Sequence, residues 1–212
     1  MNKSRVEKVA AVCTAISFIF LLIAFTTPNW LETDGKLEKP KFEQLGLWQI
    51  CFKEFQDVRH WYDYEYRGCS WIFKEDSKII YETTLPTFFR ATQFFFTLCI
   101  TFQLCGILLA ILCSCYSRQQ KKYNILMWCI GISFTIAATC GIVSVIIFGA
   151  KGDGRDWMPN WEHNDVGWSY ALAVVGSFIL LAGGILFLIE ARRFAKKKEK
   201  FLNDDSQFHS KS

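Results

Sequence analysis

Cysteine is the residue type in this chain with the clearest capacity for chemistry, and its nine copies fall into three groups. Cys51 and Cys69 lie together in a segment of mixed polarity. Cys113 and Cys115 end a long apolar stretch, and the other five lie inside such stretches, namely Cys13, Cys99, Cys105, Cys129 and Cys140. Two thiols alone in a segment on the oxidising side of a membrane are expected to pair, with two free thiols as the alternative. Pairing would close the loop of residues 52–68 and remove about 3 kcal/mol of chain entropy from the unfolded state.

The remaining residues with catalytic potential lack the arrangements that catalysis requires. The three histidines, His60, His163 and His209, do not have the spacing of metal ligands. The sequence contains no Gly-rich phosphate loop, nucleophile elbow or zincin motif. It therefore predicts neither an enzyme nor a site for a cofactor or metal.

The elements that carry or flank these cysteines include four stretches without Asp, Glu, Lys or Arg. Each exceeds the roughly 20 apolar residues that a bilayer-spanning helix needs, whereas a helix of a soluble protein would interleave charges. The first stretch follows basic residues and could be a cleaved signal peptide. Its length and the lack of a small-x-small cleavage site favour an uncleaved helix. The predicted spans are residues 9–27, 90–115, 125–150 and 167–190.

Basic residues cluster at three places outside the spans, and such clusters mark the cytoplasmic side. We therefore predict that residues 1–8, 116–124 and 191–212 are cytoplasmic, and that residues 28–89 and 151–166 are extracellular. The net charge of +4 reflects this topology rather than nucleic-acid binding. The basic tail, residues 191–212, could in addition contact anionic lipid. The clusters are Lys3, Arg5 and Lys8; Arg118, Lys121 and Lys122; and Arg192, Arg193, Lys196, Lys197, Lys198 and Lys200.

The long predicted loop carries the signals of a small antiparallel sheet. Residues 45–55, 69–74 and 78–84 are rich in aromatic and β-branched side chains, which favours strands. Alternation would place Cys69, Trp71 and Phe73 on one face. A sheet of this size is marginal alone, so a Cys51–Cys69 bond and docking on the helices would have to stabilise it.

Other candidate site residues are aromatic or juxtamembrane. The aromatic residues and Met158 are candidates for contact with extracellular partners. Alternatively, the aromatic residues could pack on the sheet or form a belt at the membrane interface. Cys113 and Cys115 are candidate palmitoylation sites, with buried packing as the alternative. The candidate contacts are Trp61, Tyr62, Tyr64, Tyr66, Trp157, Met158 and Trp161.

The cores of the four spans contain no ionisable residue, which argues against a transport pathway through the bundle. Gln93 and Gln103 are predicted to hydrogen-bond between helices. Small residues that would allow close helix packing are Gly131, Ala137, Gly141, Ala173, Ser177, Gly183 and Gly184.

A set of residues in the long loop resembles the signature of the claudin/PMP22/EMP superfamily. Trp30 is followed by Gly46-Leu47-Trp48 and then by Cys51 and Cys69, all after a first span. Arg90, soon after Pro86, and Gly167-Trp168 at the start of the fourth span are also similar to the family. The resemblance covers about residues 5–195.

The resemblance implies a mainly α membrane protein, a left-handed bundle of four transmembrane helices with a small extracellular antiparallel sheet. It implies that Trp30, Gly46-Leu47-Trp48 and Arg90 anchor the sheet at the membrane surface. It further implies assembly with like proteins in cis and in trans at lateral cell–cell junctions of the plasma membrane, where such proteins form a paracellular barrier.

Several features depart from the pattern of vertebrate claudins. The wide separation of Cys51 and Cys69 resembles divergent invertebrate proteins of septate junctions. Residues 209–212 lack the hydrophobic end of a typical PDZ ligand, and Ser70 stands where channel-forming claudins often carry a charge, which favours a barrier. The alternatives are a PMP22/EMP-like protein of membrane organisation or adhesion, and an auxiliary subunit resembling the calcium-channel gamma subunits.

Overall fold

The computed structural model describes residues 4–36, 42–56, 65–73, 85–115, 121–152, 154, 157–158 and 161–211. Within these ranges, four α-helices each contain a stretch long and apolar enough to cross a membrane, with mean hydropathy from 2.2 to 2.7, as the sequence predicts. The helices are α1 (Arg5–Thr26), α2 (Thr87–Cys115), α3 (Lys121–Lys151) and α4 (Trp168–Lys211).

Helix α1 begins and ends at residues suited to those positions. The Ser4 side chain accepts a hydrogen bond of 3.1 Å from the Glu7 amide, and the Ser-x-x-Glu spacing is that of a capping box. At the other end, the Thr27 amide donates to the Ile23 carbonyl. Pro28 follows and cannot continue the helix because it lacks an amide proton.

The helices pack in a ring in which α1 contacts α4, α4 contacts α3 and α3 contacts α2, while α1 and α2 touch only sparsely. Close packing depends on small residues, as predicted. A Cβ added at Gly183 would lie 2.7 Å from Thr14 Cγ2, and one added at Gly184 would lie 3.0 Å from the Thr135 amide nitrogen. Any side chain there would separate α4 from α1 and α3.

Among the described residues, five strands form one antiparallel sheet in the order β4-β3-β2-β1-β5. Leu31, Leu45 and Ile50 are paired across β1, β2 and β3 and are buried, so this side of the sheet faces the core. The strands are β1 (Leu31–Thr33), β2 (Phe42–Leu45), β3 (Gln49–Gln56), β4 (Glu65–Trp71) and β5 (Asn164–Val166).

The sheet differs in extent from the sequence prediction. Strands β3 and β4 fall near the predicted segments, whereas β1, β2 and β5 were mostly not expected, and the predicted strand at 78–84 lies outside the described residues. The strand β5 comes from the segment between α3 and α4. Both inter-helix segments on this side of the bundle therefore contribute to one sheet.

Candidate functional site

The junction between the sheet and the helices is organised around Trp30. Its side chain is 0% exposed, and its indole Nε1 donates a 2.7 Å hydrogen bond to the Ala24 carbonyl. Its ring lies edge-on to Phe96 of α2, Phe148 of α3 and Tyr170 of α4, with centroids 5.0–5.7 Å apart. Trp30 lies in the chain that follows α1, and its ring thus contacts the other three helices.

The backbone of Trp30 simultaneously joins β2 to the residue that follows β5. Its amide donates to the Leu45 carbonyl over 2.8 Å, and its carbonyl accepts from the Gly167 amide over 3.0 Å. Because the side chain is fixed in the bundle and the backbone in the sheet, Trp30 couples the position of one to the other.

The Gly46-Leu47-Trp48 turn is the second contact between sheet and bundle. A Cβ on Gly46 would lie 2.5 Å from both the Thr27 carbonyl oxygen and Pro28 Cα, so only glycine fits against this backbone. Leu47 is fully buried, and the Trp48 ring packs edge-on against Phe25 at 5.3 Å. The turn is therefore seated on the last turn of α1.

Gln93 corrects one sequence prediction. Its Nε2 donates a 2.6 Å hydrogen bond to the Leu47 carbonyl, so it joins α2 to the turn instead of joining two helices. Gln103 behaves as predicted, since its Nε2 lies 3.3 Å from Ser17 Oγ of α1. No local pattern in the sequence distinguishes the two glutamines, because their partners are remote in the chain.

Arg90, which the resemblance implied would help to anchor the sheet at the membrane surface, lies in the first turn of α2. Its side chain is exposed, and its guanidinium makes no hydrogen bond or ion pair with the residues that the structure describes. Its buried neighbours on the inner face of α2 are Phe89, whose ring packs on Phe148 and Trp157, and Gln93, which donates to the Leu47 carbonyl.

Cys51 and Cys69 are paired in a disulfide, with Cα atoms 3.9 Å apart, as the sequence predicts. They are directly opposite residues of β3 and β4. The bond therefore fixes the edge strand β4 to the part of the sheet that is docked on the helices. The predicted alternation also holds, because Cys69, Trp71 and Phe73 are exposed while Ile72 between them is buried.

Hydrogen bonds between Asp34 and His163 join the end of β1 to the short helical turn before β5. The Asp34 amide donates to the His163 carbonyl over 2.7 Å, and Asp34 Oδ2 lies 3.0 Å from His163 Nδ1. The pKa of Asp34 is lowered below its ordinary 3.8. The larger cause is the hydrogen bond that the Lys36 amide donates to the Asp34 carboxylate, and the second is the hydrogen bond with the His163 side chain. This pair links the two inter-helix segments and was not recognised from the sequence.

The structure revises the expectation for Trp157 and Met158. Both are buried, Trp157 being only 7% exposed, and the Trp157 ring packs on Phe88, Phe89 and Phe148 at 4.9–6.2 Å. Trp157 is a packing residue between α2 and α3 because aromatic side chains from both helices converge on it, and Met158 belongs to the same buried core.

The other candidate residues are only partly described. Trp61, Tyr62 and Tyr64 lie outside the described residues, as do the side chains of Tyr66 and Trp161. Of the two candidate palmitoylation sites, Cys113 is buried in the bundle and Cys115 is exposed. Within the described ranges, no group of three or more His, Cys, Asp or Glu residues is arranged to hold a metal ion.

The arrangement is that of a scaffold: a disulfide-linked sheet held on four apolar helices by buried aromatic and amide contacts. The chain matches no individual curated protein. Its residues 15–189, out of 212, match the family described as PMP-22/EMP/MP20/Claudin tight junction. The chain therefore belongs to the PMP-22/EMP/MP20/Claudin family of multi-pass membrane proteins.

Proposed function

We propose that this protein assembles at lateral cell–cell contacts of the plasma membrane and contributes to a paracellular barrier. The observation that carries the proposal is the coupling of a disulfide-linked, five-stranded sheet to the bundle through Trp30. Such a sheet holds its shape relative to the membrane, and a rigid surface loses less entropy on association than a mobile loop.

In this proposal both termini are cytoplasmic and the sheet is extracellular. The basic segments at the two termini and between α2 and α3 support this orientation, as does the disulfide, which persists in an oxidising environment. The proposed partners are like or related proteins, side by side in one membrane and across the intercellular gap. The protein has no catalytic role in this proposal, and acylation of Cys115 would add a lipid anchor on the cytoplasmic side.

The test is expression of the full chain in cells that lack junctional strands, followed by freeze-fracture imaging of their contacts. Strands or septa are expected at contacts between expressing cells. Depletion from an epithelium that makes the protein should also increase the leak of a paracellular dye. A matched control is a variant with both Cys51→Ser and Cys69→Ser, which keeps the four helices but frees β4.

The experiment also separates the alternatives. Diffuse surface staining with unchanged dye permeability would contradict the barrier and leave a PMP22/EMP-like role in membrane organisation. Co-purification with a pore-forming subunit from excitable cells, without strands, would instead indicate an auxiliary subunit.

A further inference from the structure

We propose that Trp71 and Phe73, together with Trp48, form a lipid-contacting surface that enters the headgroup region of the leaflet on the sheet side of the membrane. We name these three residues the aromatic wedge. The inference concerns how the sheet sits on the bilayer, and it is independent of the proposed role at junctions.

The wedge is a cluster of mutually packed rings at the edge of the sheet. The Trp48 ring stacks on Trp71 with centroids 6.2 Å apart and lies 6.2 Å from Phe73, and Trp71 and Phe73 are 6.3 Å apart. The Ile72 amide donates to the Trp48 carbonyl over 2.9 Å. The rings therefore have a fixed position relative to the Gly46-Leu47-Trp48 turn.

The depth of the wedge follows from its contact with α1. Counted from Lys8, the last charged residue of α1, Phe25 lies about 26 Å further along the helix at 1.5 Å per residue. The hydrocarbon core of a bilayer is about 30 Å thick, so Phe25 lies near its boundary. Trp48 packs directly on Phe25, which places the wedge at the headgroup level.

The exposed side of the wedge is apolar and continues the lipid-facing surface of the helix. Trp71 is 53% exposed and Phe73 is 47% exposed. Leu22, one turn from Phe25 on the same face of α1, is 41% exposed, as expected of a side chain in contact with lipid. Exposed rings of this kind are unfavourable in water, whereas Trp is enriched at the membrane interface. A bilayer leaflet therefore fits this surface better than solvent does.

Fluorine NMR of the full-length protein labelled with fluorotryptophan, in lipid nanodiscs, tests the proposal. The Trp71 and Trp157 lines are assigned by their loss in the Trp71→Phe and Trp157→Phe variants. Wild-type protein is then measured with phosphatidylcholine that carries a nitroxide close to the headgroup, and separately with a water-soluble gadolinium chelate. Trp157 is the matched control because its ring is buried in the protein.

We expect the lipid nitroxide to broaden the Trp71 line beyond detection while the Trp157 line remains. Loss of the Trp71 line only with the soluble chelate would overturn the proposal, because the ring would then face water. Protection from both agents would also overturn it, since protein would then cover the ring. A Trp71 line that shifts on dilution with lipid would identify that cover as a second copy of the chain.

Discussion

Gly46 lies where the turn before β3 meets the chain that leaves α1, and the two backbones touch there. A Cβ at this position would lie 2.5 Å from Thr27 and Pro28 backbone atoms, which cannot move as a flexible side chain could. We expect Gly46→Ala to reduce the free energy of unfolding by about 1–3 kcal/mol, as overpacking does. Hydrogen exchange should accelerate at the amides of β1 and β2.

The matched control for this prediction is Gly35→Ala. Gly35 has a φ of +70° but nothing within 4 Å of an added Cβ, so the substitution strains only the local backbone. Equal acceleration of exchange in β1 and β2 by both variants would show that the close approach at Gly46 is unimportant.

The amide of Gln93 provides a second test at a single residue. In Gln93→Leu the buried Leu47 carbonyl would lose its 2.6 Å donor, and an unsatisfied buried polar group costs about 1–3 kcal/mol. Amides of the turn and of β3 should exchange faster. Gln103→Leu makes the same chemical change but removes a bond to Ser17 of α1, so exchange in the sheet should remain as in the wild type.

The disulfide acts at the scale of the strands, because it holds β4 on β3. Removing it in a Cys51→Ser, Cys69→Ser double variant should lower the free energy of unfolding of the sheet by about 3 kcal/mol, from the loop entropy regained by the unfolded chain. Denaturant titration in detergent, followed by hydrogen exchange in β3 and β4, measures this. Cys129→Ser on the exposed side of α3 is the control, and equal stability of the two variants would contradict the prediction.

The contact between Asp34 and His163, which joins β1 to the turn before β5, should weaken at low pH. The pKa of Asp34 is lowered in the folded protein, so its contribution to stability is present above the unfolded value and is lost as pH falls through the depressed pKa. Exchange of the β5 amides should therefore accelerate below about pH 4. Asp34→Asn should remove this acid-dependent step, and Asp165→Asn, at an exposed position on β5, should leave it unchanged.

The strands that the sequence did not reveal are those made by distant pairing. Leu31–Thr33 and Asn164–Val166 have three residues each, too few for an alternating pattern to be recognised. They become strands because they pair with one another across most of the chain. The helices could be predicted because their signal is local and continuous, and Cys51 and Cys69 because they were the only thiols of their segment.

At the scale of the whole molecule, the sheet closes a gap in the ring of helices. Helices α1 and α2 touch only sparsely, yet Phe25 and Phe96 stack across the gap at 6.2 Å. Trp30 and the Gly46-Leu47-Trp48 turn cover its end. The motif that identified the family in the sequence therefore has a structural role here.

Trp30 should consequently hold the sheet and the bundle together as one cooperative unit. Trp30→Ala would remove the ring between three helices and the hydrogen bond to Ala24, at a cost of about 3–5 kcal/mol for truncating a buried Trp. Thermal unfolding in detergent should change from one transition to two, because the loosened sheet would melt before the helices. Trp168→Ala, at a ring that is 50% exposed, should keep a single transition with little change in Tm. A single, unshifted transition in Trp30→Ala would mean that the disulfide and the strand pairing alone maintain the sheet on the bundle.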